Sequence, residues 1–353
     1  MCTGIRMTAR NGDVVYARTL EFDTPLPAAL SYVPRGQSFV GMTTSGEDGL
    51  MWTNAYAFGG SVFKSEINGV MIDGGDDAMN EHGLVCGIFN LPGFTEFSPA
   101  TDANRDKCIA IWQVATYILG NFTTCAEVRD AVSRGDFVVA DTLFPFPGTP
   151  GILPNHCRVG DASGDTIVLE WHTANEPPAV YDSETGIVTN APDYDFQVNN
   201  WKRFSHLSPY NPSGPFHAGS QDYKLTMGNG YVGMPGGSNP PDRFVRASLY
   251  ARDAYTGDDG ESTAWIAWHV MNLFDIPPGI MRNIDAATKA ESTEYNLWTC
   301  VADTKNLVYY FRSFTDNGIF EIDFTKLDPT GPQRLESMAA AGEARRTIPV
   351  FSG

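Results

Sequence analysis

The chain has 353 residues with 42 acidic and 24 basic side chains, a formal charge of −18, and it is 42% hydrophobic and 12% aromatic. This composition supports a large buried core and excludes intrinsic disorder, a collagen-like repeat and a small disulfide scaffold. No stretch reaches the ~18 consecutive apolar residues of a bilayer span, and no cluster of Lys and Arg offers a surface for nucleic acid or anionic lipid.

In chain order, the first predicted element is a hairpin. Alternation runs from Thr3 to Ala9, Asn11-Gly12 suits a two-residue type I′ turn, and Val14-Val15-Tyr16-Ala17 resumes in β-formers. With that loop, opposed residues sum to 23, so Ala9 faces Val14, Met7 faces Tyr16 and Cys2 faces Glu21. A second β block covers Gly69 to Asn90, turning at Asn80-Glu81-His82-Gly83, and Asp73-Gly74-Gly75-Asp76-Asp77 within it reads as a turn without calcium-loop spacing. A helix is predicted over Lys107 to Leu119, apolar at 108, 111, 112, 115 and 119 and closed by Gly120-Asn121. Thr124 with Glu127 forms a capping box that opens a short helix through Val132.

A third β block runs from His156 to Trp171 around Asp161 to Asp165, and the stretch Ser208 to Ser220 reads as a surface loop. Helices follow over Arg243 to Tyr255 and Ser262 to Phe274, the second stopped by Pro277-Pro278. A last hairpin pairs Tyr295 to Ala302 with Leu307 to Phe314 across Asp303 to Asn306. Clusters of strands and helices with short hairpin turns imply an α+β chain with antiparallel sheets.

The six cysteines, at 2, 86, 108, 125, 157 and 300, form no CxxC pair and no zinc spacing, so they read as reduced core residues, with one exception. Cys2 follows Met1 directly. Once Met1 is removed, one residue carries both a thiol and a free α-amine. That amine titrates near ~7.7–8.0 and can take the thiol proton, then return it to a leaving amine. No secretory stretch precedes Cys2, which implies a cytoplasmic protein or, with a leader already cut away, a periplasmic or secreted one. The six histidines are scattered without a metal pattern, and His269 reads as an ordinary helix residue.

Cys2-Thr3-Gly4, Asn11-Gly12 and Arg18-Thr19-Leu20-Glu21 resemble the opening of the choloylglycine hydrolase family, amidases with an N-terminal nucleophile that include bile salt hydrolases and penicillin V acylases. Met79 to Leu84 leading into Phe89-Asn90-Leu91-Pro92-Gly93, Val188 to Pro192, Arg243 to Ala247 and the Tyr309 to Arg312 strand extend the resemblance over nearly the whole chain. The resemblance implies an αββα sandwich of two antiparallel sheets as a single domain over residues 1–353, with no cofactor and no metal, and, by analogy alone, a tetramer or dimer.

It also implies a site. Cys2 would be the nucleophile, Arg18 would lie beside the thiol, Asn190 and Asn90 would contribute to an oxyanion hole, and Arg243 would complete the positive charge. Glu21 departs from the Asp of the better-known bile salt hydrolases, where that residue holds the terminal amine. Positions 18 and 21 fall on opposite faces of a regular strand, so a β-bulge or break is expected between Arg18 and Phe22 if both are to meet Cys2.

The implied reaction is hydrolysis of a linear amide with an apolar acyl group, its pocket lined by residues such as Phe22, Phe58, Phe63, Phe94 and Tyr231. Glycine- or taurine-conjugated bile acids, penicillin V and N-acyl homoserine lactones all fit. Neither a nucleic acid nor a membrane is expected as a partner. A protein that keeps the fold but only binds ligands, and a β-rich carbohydrate binder, are the readings from other classes.

Overall fold

The described residues of the computed structural model are 1–23, 29–44, 46–67, 69–146, 150–212, 216–223, 226–285 and 288–337. Two antiparallel sheets dominate. Their strands are β1 (Cys2–Thr8), β2 (Val14–Phe22), β3 (Ala29–Val33), β4 (Phe58–Ile67), β5 (Val70–Asn80), β6 (Val85–Asn90), β7 (Asn155–Gly160), β8 (Thr166–Glu170), β9 (Ala179–Asp182), β10 (Met281–Ile284), β11 (Glu291–Asp303), β12 (Val308–Ser313), β13 (Phe320–Asp323) and β14 (Arg334–Ser337). The first sheet runs β1-β2-β11-β12-β13, with β10 also on β11, and the second runs β9-β8-β7-β6-β5-β4-β3-β14.

The helices are α1 (Val114–Asn121), α2 (Cys125–Arg134), α3 (Tyr194–Lys202), α4 (Pro240–Asp253) and α5 (Gly260–Met271). Helix α4 lies on β1 and α5 on β2 and β11, while α1 packs on β5 and β6. The order is therefore helix, sheet, sheet, helix, the four-layer α+β sandwich that the family resemblance implies. Each face of each sheet has an apolar partner. One core joins Ile5, Met7 and Val15 to Phe244, Ala267 and, across the sheets, Met79, Val85 and Phe89. The other packs Ile118, Leu119 and Val128 on Cys86, Cys157 and Leu169.

Local details correct several expectations. The first hairpin turns through three residues, Arg10-Asn11-Gly12, with Gly12 alone at positive φ (+95°) and its N–H donating to the Ala9 carbonyl. One loop residue more than a type I′ turn shifts the register: Cys2 faces Leu20, Gly4 faces Arg18 and Thr8 faces Val14. The helix expected from Lys107 starts only at Val114, because Cys108–Ile109 pairs as a strand with Val138–Val139 and Ile111–Gln113 is a 3₁₀ turn. Burial on all sides gave that stretch its apolar stripe. The Thr124 capping box is present and α2 ends on Gly135 in the left-handed region.

The segment Asp73 to Asp77 is not a turn but the interior of β5, where β4 pairs Ser61 with Asp77 and then Val62 with Gly75. Asp76 is the extra residue of that bulge. Helix α3 carries Asp193 as its N-cap and was not anticipated. Residues 213–215 of the expected Ser208–Ser220 loop, and the side chains of Phe63 and His217, lie outside the described residues.

Candidate active site

The observed register decides what can meet the Cys2 thiol. Directly opposed residues share a face of the sheet, so Cys2, Gly4, Arg18 and Leu20 point one way while Thr3, Thr19 and Glu21 point the other. The expected bulge between Arg18 and Phe22 is not in β2, which is unbroken; the irregularity lies in its partner β11, between Asn296 and Trp298. Arg18 reaches the sulfur without it, its Nη2 donating to Cys2 Sγ at 2.9 Å.

Arg18 is fully buried and each of its arms is used. Nη1 donates to the Asp76 carbonyl at 2.7 Å and the Ile88 carbonyl at 2.9 Å, Asp77 Oδ2 lies 3.6 Å away, and the rings of Phe89 and Trp298 flank the guanidinium at 4.3 and 5.0 Å. Burial opposes its charge, but Cys2, Asp77, Cys300 and Asp76 outweigh that and hold it above its ordinary range. Asp77 in turn sits 3.8 Å from Arg158 and accepts from the Tyr309 hydroxyl at 3.1 Å.

The backbone of Cys2 is held from the opposite direction. Its N–H, the nitrogen that becomes the α-amine once Met1 is gone, donates to Asn190 Oδ1 at 2.7 Å. Arg243, from the first turns of α4, donates to the same oxygen at 2.8 Å, to the Cys2 carbonyl at 2.5 Å and to Thr3 Oγ1 at 2.6 Å. Asn190 Nδ2 donates to the Asn90 carbonyl at 2.8 Å, tying the two asparagines together. His156, bonded to Glu170 at 2.8 Å and to the Thr189 carbonyl at 3.1 Å, braces the residue beside Asn190.

With Met1 in place, the Glu21 carboxylate holds no amine. The group is buried, accepts no hydrogen bond and lies on the face away from the sulfur. It is the Glu21 backbone carbonyl that accepts from the Met1 amine, which also pairs with Glu294 at 2.8 Å. Burial raises the Glu21 pKa, with Arg243 and the amino terminus countering in part. Glu294 carried no motif in the sequence and was missed.

A narrow cleft opens at Cys2, walled by Leu20, Phe22, Ile88, Phe144, Phe146 and Leu153, with Met1, Glu21, Asp76, Asn90 and Asn155 also lining it. Of the aromatics expected there whose side chains are described, Phe22 is present, while Phe58 is in the second core, Phe94 is 37% exposed, and Tyr231 donates to Asp253 beside α4. Phe144, Phe146 and Leu153 come from a short hairpin distant in sequence from every motif. Asp76, buried beside Arg18, is pushed by burial up to about 6.

The remaining candidates have structural explanations. His269 is exposed on α5. Cys125, Asp161 and Asp165 cluster, but Asp161 accepts from the Cys125 N–H at the start of α2 and Asp165 pairs with Arg129. All six cysteines are buried and free. No described helix is long and apolar enough to cross a membrane.

Comparisons with known proteins bear on the family and the fold. The sequence profile of the linear amide C–N hydrolases, choloylglycine hydrolase family, matches residues 2–333. A bile salt hydrolase/transferase from Clostridium perfringens is 28% identical over 328 residues, 92% of this chain and 93% of that protein. A penicillin V acylase from Pectobacterium atrosepticum is 24% identical over 80% of this chain and 70% of its own. In fold, a variant of conjugated bile acid hydrolase from Clostridium perfringens superposes with a TM-score of 0.79 at 22% identity, covering 95% of this chain and 97% of that one. Penicillin V acylase from Agrobacterium tumefaciens superposes with a TM-score of 0.71 at 24% identity, covering 95% and 90%.

Proposed function

Since the chain belongs to the choloylglycine hydrolase family of linear amide C–N hydrolases, we propose that Cys2, freed of Met1, attacks N-acyl amides whose acyl group is apolar. The observation that carries this reading is the Arg18 guanidinium 2.9 Å from Cys2 Sγ at the foot of an apolar cleft, with the future α-amine held 2.7 Å from Asn190. Arg18 favours the thiolate, and the neutral α-amine takes the thiol proton. The sulfur bonds to the amide carbon, and the oxyanion is met by N–H groups of Asn190 and Asn90. The C–N bond then breaks, the departing nitrogen takes the proton from the α-ammonium, and a Cys2 thioester remains. Water, deprotonated by the same amine, attacks the thioester and releases the carboxylic acid and the thiol. Arg243 and Asn190 keep the Cys2 backbone fixed through both halves.

In this reading Glu21 is a charge partner of Arg243 rather than a ligand of the amine. The acyl group packs on Phe22, Phe144, Phe146 and Leu153. The relatives' names make conjugated bile salts and penicillin V the leading substrates.

The test is amine release from glycocholate, taurocholate, penicillin V and a long-chain N-acyl homoserine lactone, on protein whose intact mass shows Met1 removed, with Cys2→Ser in parallel. Turnover of at least one substrate, reduced at least ~1000-fold in Cys2→Ser, is expected. Equal activity in the variant defeats the nucleophile, and silence on all four leaves a ligand-binding protein on this fold.

A further inference from the structure

Two buried acids line the cleft, Glu21, whose charge is countered by Arg243, and Asp76, which the proposed chemistry does not use. Asp76 lines it together with Cys2, is 6% exposed, and its Oδ2 is buried without a hydrogen-bond partner. It stands there because of the bulge in β5: with Ser61 opposite Asp77 and Val62 opposite Gly75, one extra residue enters the strand, and two adjacent acids reach the neighbourhood of Arg18.

They are not equivalent. Asp77 pairs with Arg18 and Arg158 and accepts from Tyr309, so it neutralises the buried cations. Arg18 touches Asp76 only through the Asp76 carbonyl, by the same Nη1, while its Nη2 serves the sulfur. The Asp76 carboxylate, one guanidinium away from the nucleophile and beside the Ser61 hydroxyl, thus keeps Oδ2 as an unpaired acceptor in a cleft whose apolar walls also carry Glu21, Asn90 and Asn155. A buried acceptor left unpaired is costly, and the cost is relieved when a ligand brings a donor.

We infer that Asp76 is a specificity-determining residue whose carboxylate accepts a hydrogen bond from a hydroxyl or amino group on the acyl side of the scissile amide, within a few bonds of the carbonyl. The inference rests on Cys2 as the nucleophile, because that fixes where the carbonyl lies. A wholly apolar acyl chain would bury Asp76 without pairing it and would be disfavoured. A site built to bond a donor discriminates against the analogue lacking it more strongly than an apolar pocket discriminates by size.

The test uses the full-length protein with Met1 removed and three matched amides, octanoyl, 3-hydroxyoctanoyl and 3-aminooctanoyl, all on the amine that the substrate panel shows to be released fastest. In the unaltered enzyme kcat/KM for a donor-bearing chain should exceed that for octanoyl by about ten-fold or more, as expected for a hydrogen bond to a charged group. Asp76→Ala should bring both ratios near one and raise kcat/KM for octanoyl. Asp76→Asn, of nearly the same shape, should abolish the amino preference while keeping part of the hydroxyl preference, since its amide oxygen still accepts. Equal kcat/KM for all three in the unaltered enzyme, or ratios that survive in Asp76→Ala, overturn the inference while leaving the Cys2 reaction standing. Absence of any release from the panel removes both together.

Discussion

Asp76 is where one residue sets opposing demands on stability and function. Its pKa, pushed by burial from an ordinary 3.8 up to about 6, gives the sign of its effect. Below about pH 4 the group is protonated in both folded and unfolded chains and costs nothing. As pH rises toward 6 the unfolded chain ionises freely while the folded one resists, so stability is lost across that window and stays lost above it. The shift corresponds to roughly 3 kcal/mol. Asp76→Asn should therefore raise the unfolding free energy by up to about that amount at pH 7.5 and by little at pH 4, read from denaturant titrations at the two values. An equal gain at both would mean the carboxylate is not charged in the fold. Sacrificed stability of this kind is common at functional sites.

Cys2 itself was legible in the sequence, because a thiol at the second position followed by a strand pattern has a specific chemical use. Arg18, Asn90, Asn190 and Arg243 were legible only through resemblance. What each one touches was not. Arg243 grips the Cys2 backbone rather than its sulfur, and Glu21 reaches the amine by its carbonyl rather than its carboxylate. Side-chain type is written in the sequence, but the direction of a side chain depends on register.

At the scale of elements, the register of β1 and β2 illustrates the point. Asn11-Gly12 promised a two-residue turn, and a third loop residue slid the pairing by one, placing Arg18 on the same face as Cys2 and Glu21 on the other. Strand β6 offers a test of how closely the site depends on its neighbours. Gly87 faces Asp77 across the sheet, and a Cβ there would lie 2.3 Å from Asp77 Oδ2 and 3.2 Å from Arg18 Nη1. Gly87→Ala should displace the Asp77 carboxylate from Arg18, costing about 1–3 kcal/mol by overpacking. It should also lower kcat more than it changes KM, since the disturbed group adjoins the thiol rather than the acyl cleft. Denaturant unfolding and steady-state kinetics on the same preparation check both, and unaltered kcat with reduced stability would separate Asp77 from the reaction. Strands β1, β2, β5 to β8, β11 and β12 and the capped helices α2, α4 and α5 followed from local pattern; α1 was expected seven residues too early, β3, β4, β9, β10, β13 and β14 went unread, and the run Asp73 to Asp77 was expected as a turn. Burial on every side of residues 108–113 gave that non-α-helical stretch an apolar stripe like that of a helix. The Gly and Asp residues of β5, which read as turn formers, are held extended by pairing with β4, with Asp77 paired to β6 as well and set against buried arginines.

At the scale of the whole molecule, the two sheets share one core: Tyr16, Trp298 and Cys300, on the Arg18 face of the first, stand toward Met79, Val85 and Phe89 of the second, while Ile5, Val15 and Val301 face α4 and α5. Arg18 and Arg158 also cross between the sheets, to Ile88 in one direction and to the Ile5 and Ala17 carbonyls in the other. Neither sheet can open without exposing the other's apolar face and stranding buried charge. Unfolding should therefore be a single cooperative transition, with tryptophan fluorescence and far-ultraviolet circular dichroism coinciding. Two separated transitions would show that the layers fold as independent units.

From the amino-acid sequence alone came the α+β class and the antiparallel hairpins, read from local pattern, and the linear-amide family with Cys2 as its proposed nucleophile, read from short motifs that resemble that family. These depend on short-range pattern and on side-chain chemistry, which a linear string records in full. Tertiary structure alone decided which face Arg18 presents, that Asn190 holds the future amine, that Phe144, Phe146 and Leu153 wall the cleft, and that a bulge delivers Asp76 beside the thiol. Each of these arises from pairing between segments far apart in the chain, where a shift of one residue reverses the direction of a side chain and leaves the local pattern unchanged.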